Sequence, residues 1–302
     1  MSSLSSSFPL FNFSRLTNYK TKYFSSLPQG LALRMVGDRS AGKTTYMAAL
    51  ARWPHANSSS LVQSVTSFNE EGQQLVAQAQ NILEQGLRLE PTKLGKAASL
   101  PDYGLQIVLK GKRSQEMILT INCKDYSGEF FSDLLYRQQD SLLQEYVEDC
   151  AEGNGIMFLL DGIAYRKDAE YARGIGKFLE AIGQFEPNQQ RRLALVLTKC
   201  EQPDLWIKCH QPRELVKARF PQAYSKLESW QSLGKLNIEY FTTSAFGMLG
   251  ASARQANARK IKRDREGVAS VIKEPRYWQP FGLVAPIYWL YTGQRHQGLE
   301  ED

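Results

Sequence analysis

The sequence has little of three features that would define whole classes of protein: long apolar runs, paired cysteines and clustered metal ligands. Its longest apolar run, Phe281 to Leu290, contains Pro286 and is far shorter than the roughly 20 residues that span a bilayer. The four cysteines show no paired spacing; they are Cys123, Cys150, Cys200 and Cys209. We therefore expect no membrane-spanning helix, disulfide framework or cysteine-based metal site, and a reducing, cytoplasmic compartment is the simplest prediction.

Acidic residues are absent from one stretch and scarce in another, within a net charge of +6. Residues 1–37 contain no acid, and the Ser-rich first 30 residues lack the apolar segment of a secretory signal. We expect 1–30 to form a flexible polar and basic arm. The segment 254–265 holds six basic residues and one acid. It predicts a mobile basic loop over about 251–276, which is either a solvated loop alone or a site for an anionic partner: nucleic acid, a membrane surface or an acidic protein.

Beyond residue 30 the chain alternates between strand-like and helix-like patterns. Strands are predicted at 31–36, 105–109, 117–123, 156–160, 193–197 and 238–241, and helices at 44–53, 69–85, 133–150, 166–182 and 213–230. A short polar joint after the second strand predicts a hairpin, and the continuous apolar runs of later strands predict parallel strands covered on both faces. The expected fold is α/β and three-layered, with a six-stranded, mostly parallel sheet and one antiparallel edge hairpin. Residues 31–302 form one domain in this interpretation, with a long insertion over about 55–100.

A glycine-rich loop carries the clearest chemical signal. It reads Gly37-Asp38-Arg39-Ser40-Ala41-Gly42-Lys43-Thr44, follows an apolar strand and opens a helix. Its two glycines permit backbone conformations and close approaches that a side chain would block. Successive N–H groups and the helix N-terminus favour phosphate. We expect Lys43 to reach the outer phosphates and the Thr44 hydroxyl to bind Mg²⁺, with Thr45 beside them.

Three further polar motifs each follow a predicted strand. Asp125-Tyr126-Ser127-Gly128-Glu129 offers a carboxylate for Mg²⁺ in Asp125 and a backbone N–H for a γ-phosphate in Gly128. The other two are Thr198-Lys199-Cys200-Glu201 and Thr243-Ser244-Ala245. Each motif alone is also an ordinary polar turn. Because ligands of open α/β sheets bind at the C-terminal ends of the strands, all four motifs are expected to share one site.

In this order the four motifs resemble those of small GTPases of the translation-factor-related (TRAFAC) class. A narrower resemblance is to the prokaryotic double-GTPase-like (DO-GTPase) proteins. It rests on Gly-Lys-Thr-Thr-Tyr at 42–46, Asp-Tyr-Ser-Gly-Glu at 125–129 and the closing segment 278–290, and it spans roughly residues 30 to 292. The resemblance implies a P-loop GTPase fold, GTP or GDP with Mg²⁺ as ligands, and a switch that hydrolyses GTP and recruits a protein effector.

The resemblance also implies which residues recognise the base. Thr198, Lys199 and Glu201 stand where GTPases carry an Asn- or Thr-Lys-x-Asp element. Glu201 would accept the two N–H groups on the edge of guanine, and Lys199 would pack on the ring. Ser244 and Ala245 match the short element whose backbone contacts guanine O6. Glutamate is one methylene longer than the usual aspartate, so an ATP-using P-loop protein is an alternative.

The implied hydrolytic machinery departs from the common pattern. Thr92 is the first candidate for a switch threonine that closes on Mg²⁺, and Thr66 is a poorer one. Glu129 stands where many GTPases have a water-orienting Gln or His, and its charge would repel a γ-phosphate unless screened. Arg39, inside the phosphate loop, is a candidate arginine finger in cis; the alternatives are that it obstructs a finger from a partner or is a solvent-facing cation of the loop. We expect slow hydrolysis that a partner accelerates; a nucleotide-binding scaffold with little turnover is a further alternative.

Overall fold

The computed structural model describes residues 30–53, 60–87, 100–111, 116–126, 128–136, 141–185, 191–234, 236–250, 255–263 and 267–300. The predicted N-terminal arm lies outside these residues, apart from Gly30, and so does Thr92. The strands are β1 (Leu31–Gly37), β2 (Val62–Ser67), β3 (Asp102–Lys110), β4 (Glu116–Asp125), β5 (Gly155–Asp161), β6 (Arg191–Thr198), β7 (Leu236–Thr242), β8 (Ala258–Arg263) and β9 (Gly267–Ile272). The helices are α1 (Lys43–Arg52), α2 (Glu70–Gln85), α3 (Gly128–Tyr136), α4 (Ser141–Glu152), α5 (Asp168–Gly183), α6 (Pro203–Trp206), α7 (Pro212–Arg219), α8 (Pro221–Ser232), α9 (Ala285–Thr292) and α10 (Gln297–Glu300).

The main sheet has seven strands in the order β2-β3-β4-β1-β5-β6-β7. The last five in this order are parallel, and β2 and β3 run antiparallel to their neighbours. The predicted α/β fold with five parallel strands is confirmed, but the count of six strands is wrong. A bulge between Val62 and Ser64 places the buried residues of β2, Val62 and Val65, three apart, so the alternation that marks a strand is lost. Because β2 covers β3, the β3–β4 hairpin is not at the edge of the sheet.

Helices cover both faces of the sheet, as the unbroken apolar strands predict. All seven residues of β5 are buried. Along β6, Ala194 and Val196 join the core that includes α1 and α9, whereas Leu193, Leu195 and Leu197 join the core that includes α5 and α8. This three-layer arrangement leaves the C-terminal ends of β1, β4, β5, β6 and β7 at one shared edge.

Two predicted helices are each divided into two. The prediction at 133–150 corresponds to α3 and α4, which are separate helices, and α3 starts five residues early, at Gly128. The prediction at 213–230 is broken between α7 and α8, where Pro221 opens the second helix. The Asp168 carboxylate accepts hydrogen bonds from the first N–H groups of α8, those of Gln222 and Ala223.

The basic segment, predicted as a loop, is largely an antiparallel hairpin of β8 and β9, separate from the main sheet. Arg254, Asp264 and Arg265 lie outside the described residues. The longest described helices, α2 and α5, have 16 residues each. No helix in the described ranges is long and apolar enough to cross a membrane.

Candidate nucleotide-binding site

The loop between β1 and α1 has the backbone that its glycines predict. A Cβ atom at Gly37 would lie 2.6 Å from the carbonyl oxygen of Leu159 on β5, so a side chain does not fit there. Gly42 has a φ of 87° and Ser40 a φ of 70°, both in the left-handed region. The chain passes from a buried strand through this turn into the N-terminus of α1, a geometry that suits phosphate.

Lys43 is buried within this loop. Its ammonium donates to the carbonyl oxygens of Gly37, at 2.9 Å, and Asp38, at 3.2 Å. Burial lowers the pKa of Lys43, and the carboxylates of Asp125 and Asp38 partly oppose this shift. The ammonium is poorly hydrated, and in such surroundings its attraction for an anion is stronger than in water.

Thr44 and Asp125, the two predicted Mg²⁺ ligands, are in contact. The Thr44 hydroxyl lies 3.0 Å from Asp125 Oδ2. The other carboxylate oxygen, Oδ1, is buried and has no hydrogen-bond partner within the described parts of the chain. Burial raises the pKa of Asp125, against the opposing effects of Lys43 and the Thr44 hydroxyl. A hydroxyl beside a carboxylate with an unpaired oxygen fits Mg²⁺, which prefers oxygen ligands.

Gly128 lies directly against the phosphate loop. A Cβ atom here would be 2.5 Å from Arg39 Cα and 2.6 Å from Arg39 N. Glu129 follows in the first turn of α3, where the helix N-terminus favours its negative charge. The side chains of Arg39 and Glu129 are both exposed. The structure thus brings the second motif and the loop into backbone contact and leaves their two charged side chains at the surface.

The Asp38 carboxylate is directed towards α5. It accepts hydrogen bonds from Lys167 Nζ and from the backbone N–H of Arg39, each at 2.7 Å, and the Tyr171 hydroxyl lies 3.5 Å away. These contacts occupy the Asp38 carboxylate and fix the first turn of the loop. Lys167 and Tyr171 are not predicted from the sequence, where no motif marks them.

Thr198 and Lys199 connect the third motif to its neighbours. The Thr198 hydroxyl lies 2.8 Å from the carbonyl oxygen of Ala41 and 3.0 Å from that of Leu160, which ties β6 to the phosphate loop. Lys199 has a left-handed backbone, with a φ of 61°, and its ammonium lies 2.6 Å from Asp161 Oδ2. Asp161 is missing from the predicted site, although an acid directly after a buried apolar strand is a signal that could have identified it.

Glu201 and Ser244, predicted on separate motifs, meet. Glu201 is only 2% exposed, and its Oε2 accepts a hydrogen bond from the Ser244 hydroxyl at 2.6 Å. Burial raises the pKa of Glu201, and the Ser244 hydrogen bond opposes the shift. Ser244 Oγ also accepts from the backbone N–H groups of Phe246, at 3.2 Å, and Gly247, at 2.8 Å. The two predicted base-recognition elements therefore form one buried unit.

The closing segment packs behind this unit. The Trp278 indole N–H donates to the carbonyl oxygen of Ala245 at 2.8 Å. Ser244 and Phe281 exchange two backbone hydrogen bonds, of 3.1 and 3.0 Å. The segment 278–290, which carries part of the resemblance seen in the sequence, thus holds the fourth motif in place.

The four motifs meet at the C-terminal edge of the parallel strands, in the order predicted. The sequence profile of the Double-GTPase 2 family matches residues 33–259. The chain belongs to this family. The resemblance to DO-GTPase proteins that the sequence motifs indicated is therefore confirmed.

Three solved structures of similar fold are distant from the Double-GTPase 2 protein. The small COPII coat GTPase SAR1 of Encephalitozoon cuniculi, in complex with GDP, is 14% identical with a TM-score of 0.29, over 76% of this chain and 78% of that one. The signal recognition particle receptor SRb-GTP/SRX complex of Chaetomium thermophilum is 12% identical with a TM-score of 0.37, over 73% of this chain and 95% of that one. The Ski7 GTPase-like domain of S. cerevisiae, bound to GDP and inorganic phosphate, is 14% identical with a TM-score of 0.37, over 74% of this chain and 44% of that one. No curated protein matches the chain. Nothing about its ligands follows from so distant a likeness.

Proposed function

We propose that this Double-GTPase 2 protein is a cytoplasmic, Mg²⁺-dependent GTP-binding switch that hydrolyses GTP slowly and signals to a protein partner. The observation that carries the proposal is the pair formed by Thr44 and Asp125, 3.0 Å apart beside the buried ammonium of Lys43. A P-loop lysine, a hydroxyl and a carboxylate with an unpaired buried oxygen together suit a Mg²⁺–triphosphate.

We propose a role for each group that would bind the phosphates and Mg²⁺. The backbone N–H groups of residues 37–44 and the Lys43 ammonium would bind the phosphate oxygens. Thr44 and Asp125 would hold Mg²⁺, which neutralises charge on the β- and γ-phosphates, and Thr92 is proposed as its switch ligand. Gly128 would donate its N–H to the γ-phosphate.

The proposed base-recognition residues favour guanine because the Glu201 carboxylate is buried. The hydrogen bonds that the Glu201 carboxylate accepts do not offset its burial, which keeps its pKa raised, so further donors would stabilise its charge. Guanine offers two N–H groups on one edge, which would supply them. Lys199 would pack on the ring, and Ser244 and Ala245 would contact its O6 through their backbone.

Slow turnover follows from the residues around Gly128. Phosphoryl transfer depends on positioning and charge stabilisation. The Glu129 carboxylate can accept a hydrogen bond from the attacking water but repels the γ-phosphate. The exposed Arg39 beside Gly128 would offset this charge if it reaches the phosphate.

Titration with mant-GTP and mant-ATP, each with and without Mg²⁺, tests nucleotide binding. We expect mant-GTP to bind at least roughly tenfold more tightly, because a site built to hydrogen-bond a group rejects analogues that lack it. Glu201→Ala should remove this preference. Equal affinity for both nucleotides, unaffected by Glu201→Ala, would identify an ATP-type P-loop protein.

Phosphate release under multiple- and single-turnover conditions tests hydrolysis. Sustained release excludes a pure scaffold, whereas bound GTP that is never hydrolysed supports one. An arginine finger contributes roughly 10³- to 10⁵-fold, so Arg39→Ala should slow single turnover by a large factor if Arg39 acts in cis. An unchanged rate removes that role.

A further inference from the structure

The β8–β9 hairpin presents cations whose charges nothing in the described structure neutralises. Arg259, Lys260 and Lys262 are exposed. The residues paired with them in the register of the hairpin are uncharged: Val271 pairs with Arg259, Ser270 with Lys260, and Val268 with Lys262. Within the described residues none of the three basic side chains has an ion pair. From 258 to 272 the sequence holds five basic residues and two acids, Asp264 and Glu266, which lie in the part not described.

The base of the hairpin is firmly attached to the domain. Asn257 is fully buried, and its side chain exchanges hydrogen bonds of 3.0 and 2.8 Å with the backbone of Glu274. Val271 and Ile272 are buried, and β9 packs against α2. The backbone N–H of Asn257 donates to the carbonyl oxygen of Gly247 at 2.9 Å. Cations on such an ordered frame lose less conformational entropy on binding than cations on a mobile loop.

The hairpin lacks the groups that other anionic partners require. Residues 255–274 contain no aromatic residue. Single-stranded nucleic acid is bound largely by stacking on aromatic rings. Membrane surfaces and protein interfaces use exposed apolar anchors, but among the side chains of the hairpin that the structure describes, Ile261 is half-buried and Val271 and Ile272 are buried. What the hairpin offers is Arg, Lys and Ser, which are donors to the phosphates of a duplex.

The shape of the hairpin favours duplex DNA. Lys260 and Lys262 lie on one face, about 6.6 Å apart at the rise of a strand. Two phosphate steps along one strand of DNA cover about 6.8 Å of the axis. The major groove of DNA admits a two-stranded ribbon, whereas that of an RNA helix is too narrow. We propose that the β8–β9 hairpin binds the phosphate backbone of double-stranded DNA, without regard to base sequence.

Fluorescence anisotropy of a short labelled DNA duplex, measured over a series of salt concentrations, tests the proposal. The full-length wild-type chain should show a log–log salt slope of about −2, for the phosphate contacts of Lys260 and Lys262. The double variant Lys260→Glu/Lys262→Glu should bind roughly tenfold or more weakly at low salt, with a slope reduced by about two. The variant Lys260→Arg/Lys262→Arg keeps the charge and should retain binding.

A matched control distinguishes the contribution of the hairpin to DNA binding from that of the overall basic charge of the chain. Lys208 and Lys217 are also exposed, and Lys217 lies on α7, which packs against β7 at the other edge of the sheet. Lys208→Glu/Lys217→Glu changes the net charge equally and should leave affinity within about twofold. Unchanged melting temperatures would show that the variants are folded.

Three outcomes would overturn the proposal. Equal losses in both double variants would assign binding to net charge alone. Tighter binding to single-stranded RNA, duplex RNA or vesicles of anionic phospholipid than to duplex DNA would name a different partner. A salt-independent signal would exclude phosphate contacts. Because the assay contains no nucleotide, its result does not depend on the proposed GTPase function.

Discussion

The Tyr126 hydroxyl donates a hydrogen bond to the carboxylate of Asp149, so the motif that carries Asp125 is tied to α4. Asp149 also forms ion pairs with Arg34 on β1, at 3.1 Å, and Lys124 on β4, at 2.6 Å. The Tyr126 ring packs against Phe130 and Tyr146. Tyr126 lies between Asp125, the proposed Mg²⁺ ligand, and Gly128. It is therefore held by a carboxylate of α4 that also pairs with β1 and β4.

Tyr126→Phe keeps the ring and removes this hydrogen bond. We expect a loss of about 1–3 kcal/mol in the free energy of unfolding, because the hydrogen-bond partner is charged. GTP turnover should fall while GTP affinity changes little, because the hydrogen bond from Tyr126 to Asp149 positions the second motif, residues 125–129. Chemical denaturation and single-turnover kinetics measure the two effects.

Tyr240→Phe is the matched control, because the Tyr240 hydroxyl donates to the Glu228 carboxylate at 2.8 Å, on β7 at the far edge of the sheet. It should lower stability similarly and leave turnover intact. If both variants reduce turnover equally, the effect of Tyr126 is one of stability alone.

Asp125→Asn tests the metal site. GTP affinity should become nearly independent of Mg²⁺, because an amide is a weaker ligand for a hard cation than a carboxylate. Titration of mant-GTP in Mg²⁺ and in EDTA gives the ratio of affinities, which should be large for the wild type and close to one for the variant. Thr44→Ser, which keeps the hydroxyl, should preserve the wild-type ratio; a variant Asp125→Asn that preserves it too would contradict the assignment.

Glu201→Gln should change how stability depends on pH. Burial raises the pKa of Glu201 in the folded chain above its ordinary value of 4.5. Between these two values the folded state holds a proton that the unfolded state has released, so this residue makes stability fall as the pH rises through that window. The Gln variant should lose this slope and be more stable than the nucleotide-free wild type at neutral pH.

Thermal unfolding from acid to neutral pH, without nucleotide, measures the effect of Glu201→Gln. The variant should also bind GTP more weakly, because an amide accepts from one guanine N–H and opposes the other with its own donors. An identical pH slope in both proteins would mean that Glu201 is not the titrating group.

Gly128→Ala should disturb the contact between the second motif and the phosphate loop. The added methyl would lie 2.5 Å from Arg39 Cα, so one backbone segment must move. We expect GTP turnover to fall roughly tenfold or more, given the sensitivity of catalysis to small displacements. Gly183→Ala, at the end of α5, is the control: its methyl meets only Trp230, at 3.9 Å, and should leave both stability and turnover intact. Equal turnover in the two variants would show that the Gly128 contact is dispensable.

The parallel half of the fold could be predicted because its strands are continuous apolar runs with polar motifs at their ends. The contact between Thr44 and Asp125 follows from that pattern, since parallel strands bring their C-terminal ends together. β2 could not be predicted in this way, because its bulge removes the alternation. The break at Pro221 was visible in the sequence, and the prediction of a single helix there neglected it.

Contacts between side chains distant in sequence could not be predicted. Lys167 and Asp38 are 129 positions apart, and Tyr126 and Asp149 are 23 apart. Neither pair has a spacing or composition that sets it apart from surface charges and core aromatics. The hairpin of β8 and β9 could not be predicted because β8 reads Ala-Arg-Lys-Ile-Lys-Arg, with four basic residues and two apolar ones, a composition typical of loops.

Gly247 connects the proposed base site to the hairpin. Its N–H donates to Ser244 Oγ at 2.8 Å, and its carbonyl oxygen accepts from Asn257 at 2.9 Å. Coupling between two binding sites is reciprocal: if a ligand at one changes the affinity of the other by some factor, the second ligand changes the affinity of the first by the same factor. If a nucleotide that shifts Ser244 alters affinity at the hairpin through Gly247, a ligand at the hairpin alters the affinity for nucleotide by the same factor. The backbone of one glycine would then link the occupancy of the two proposed sites.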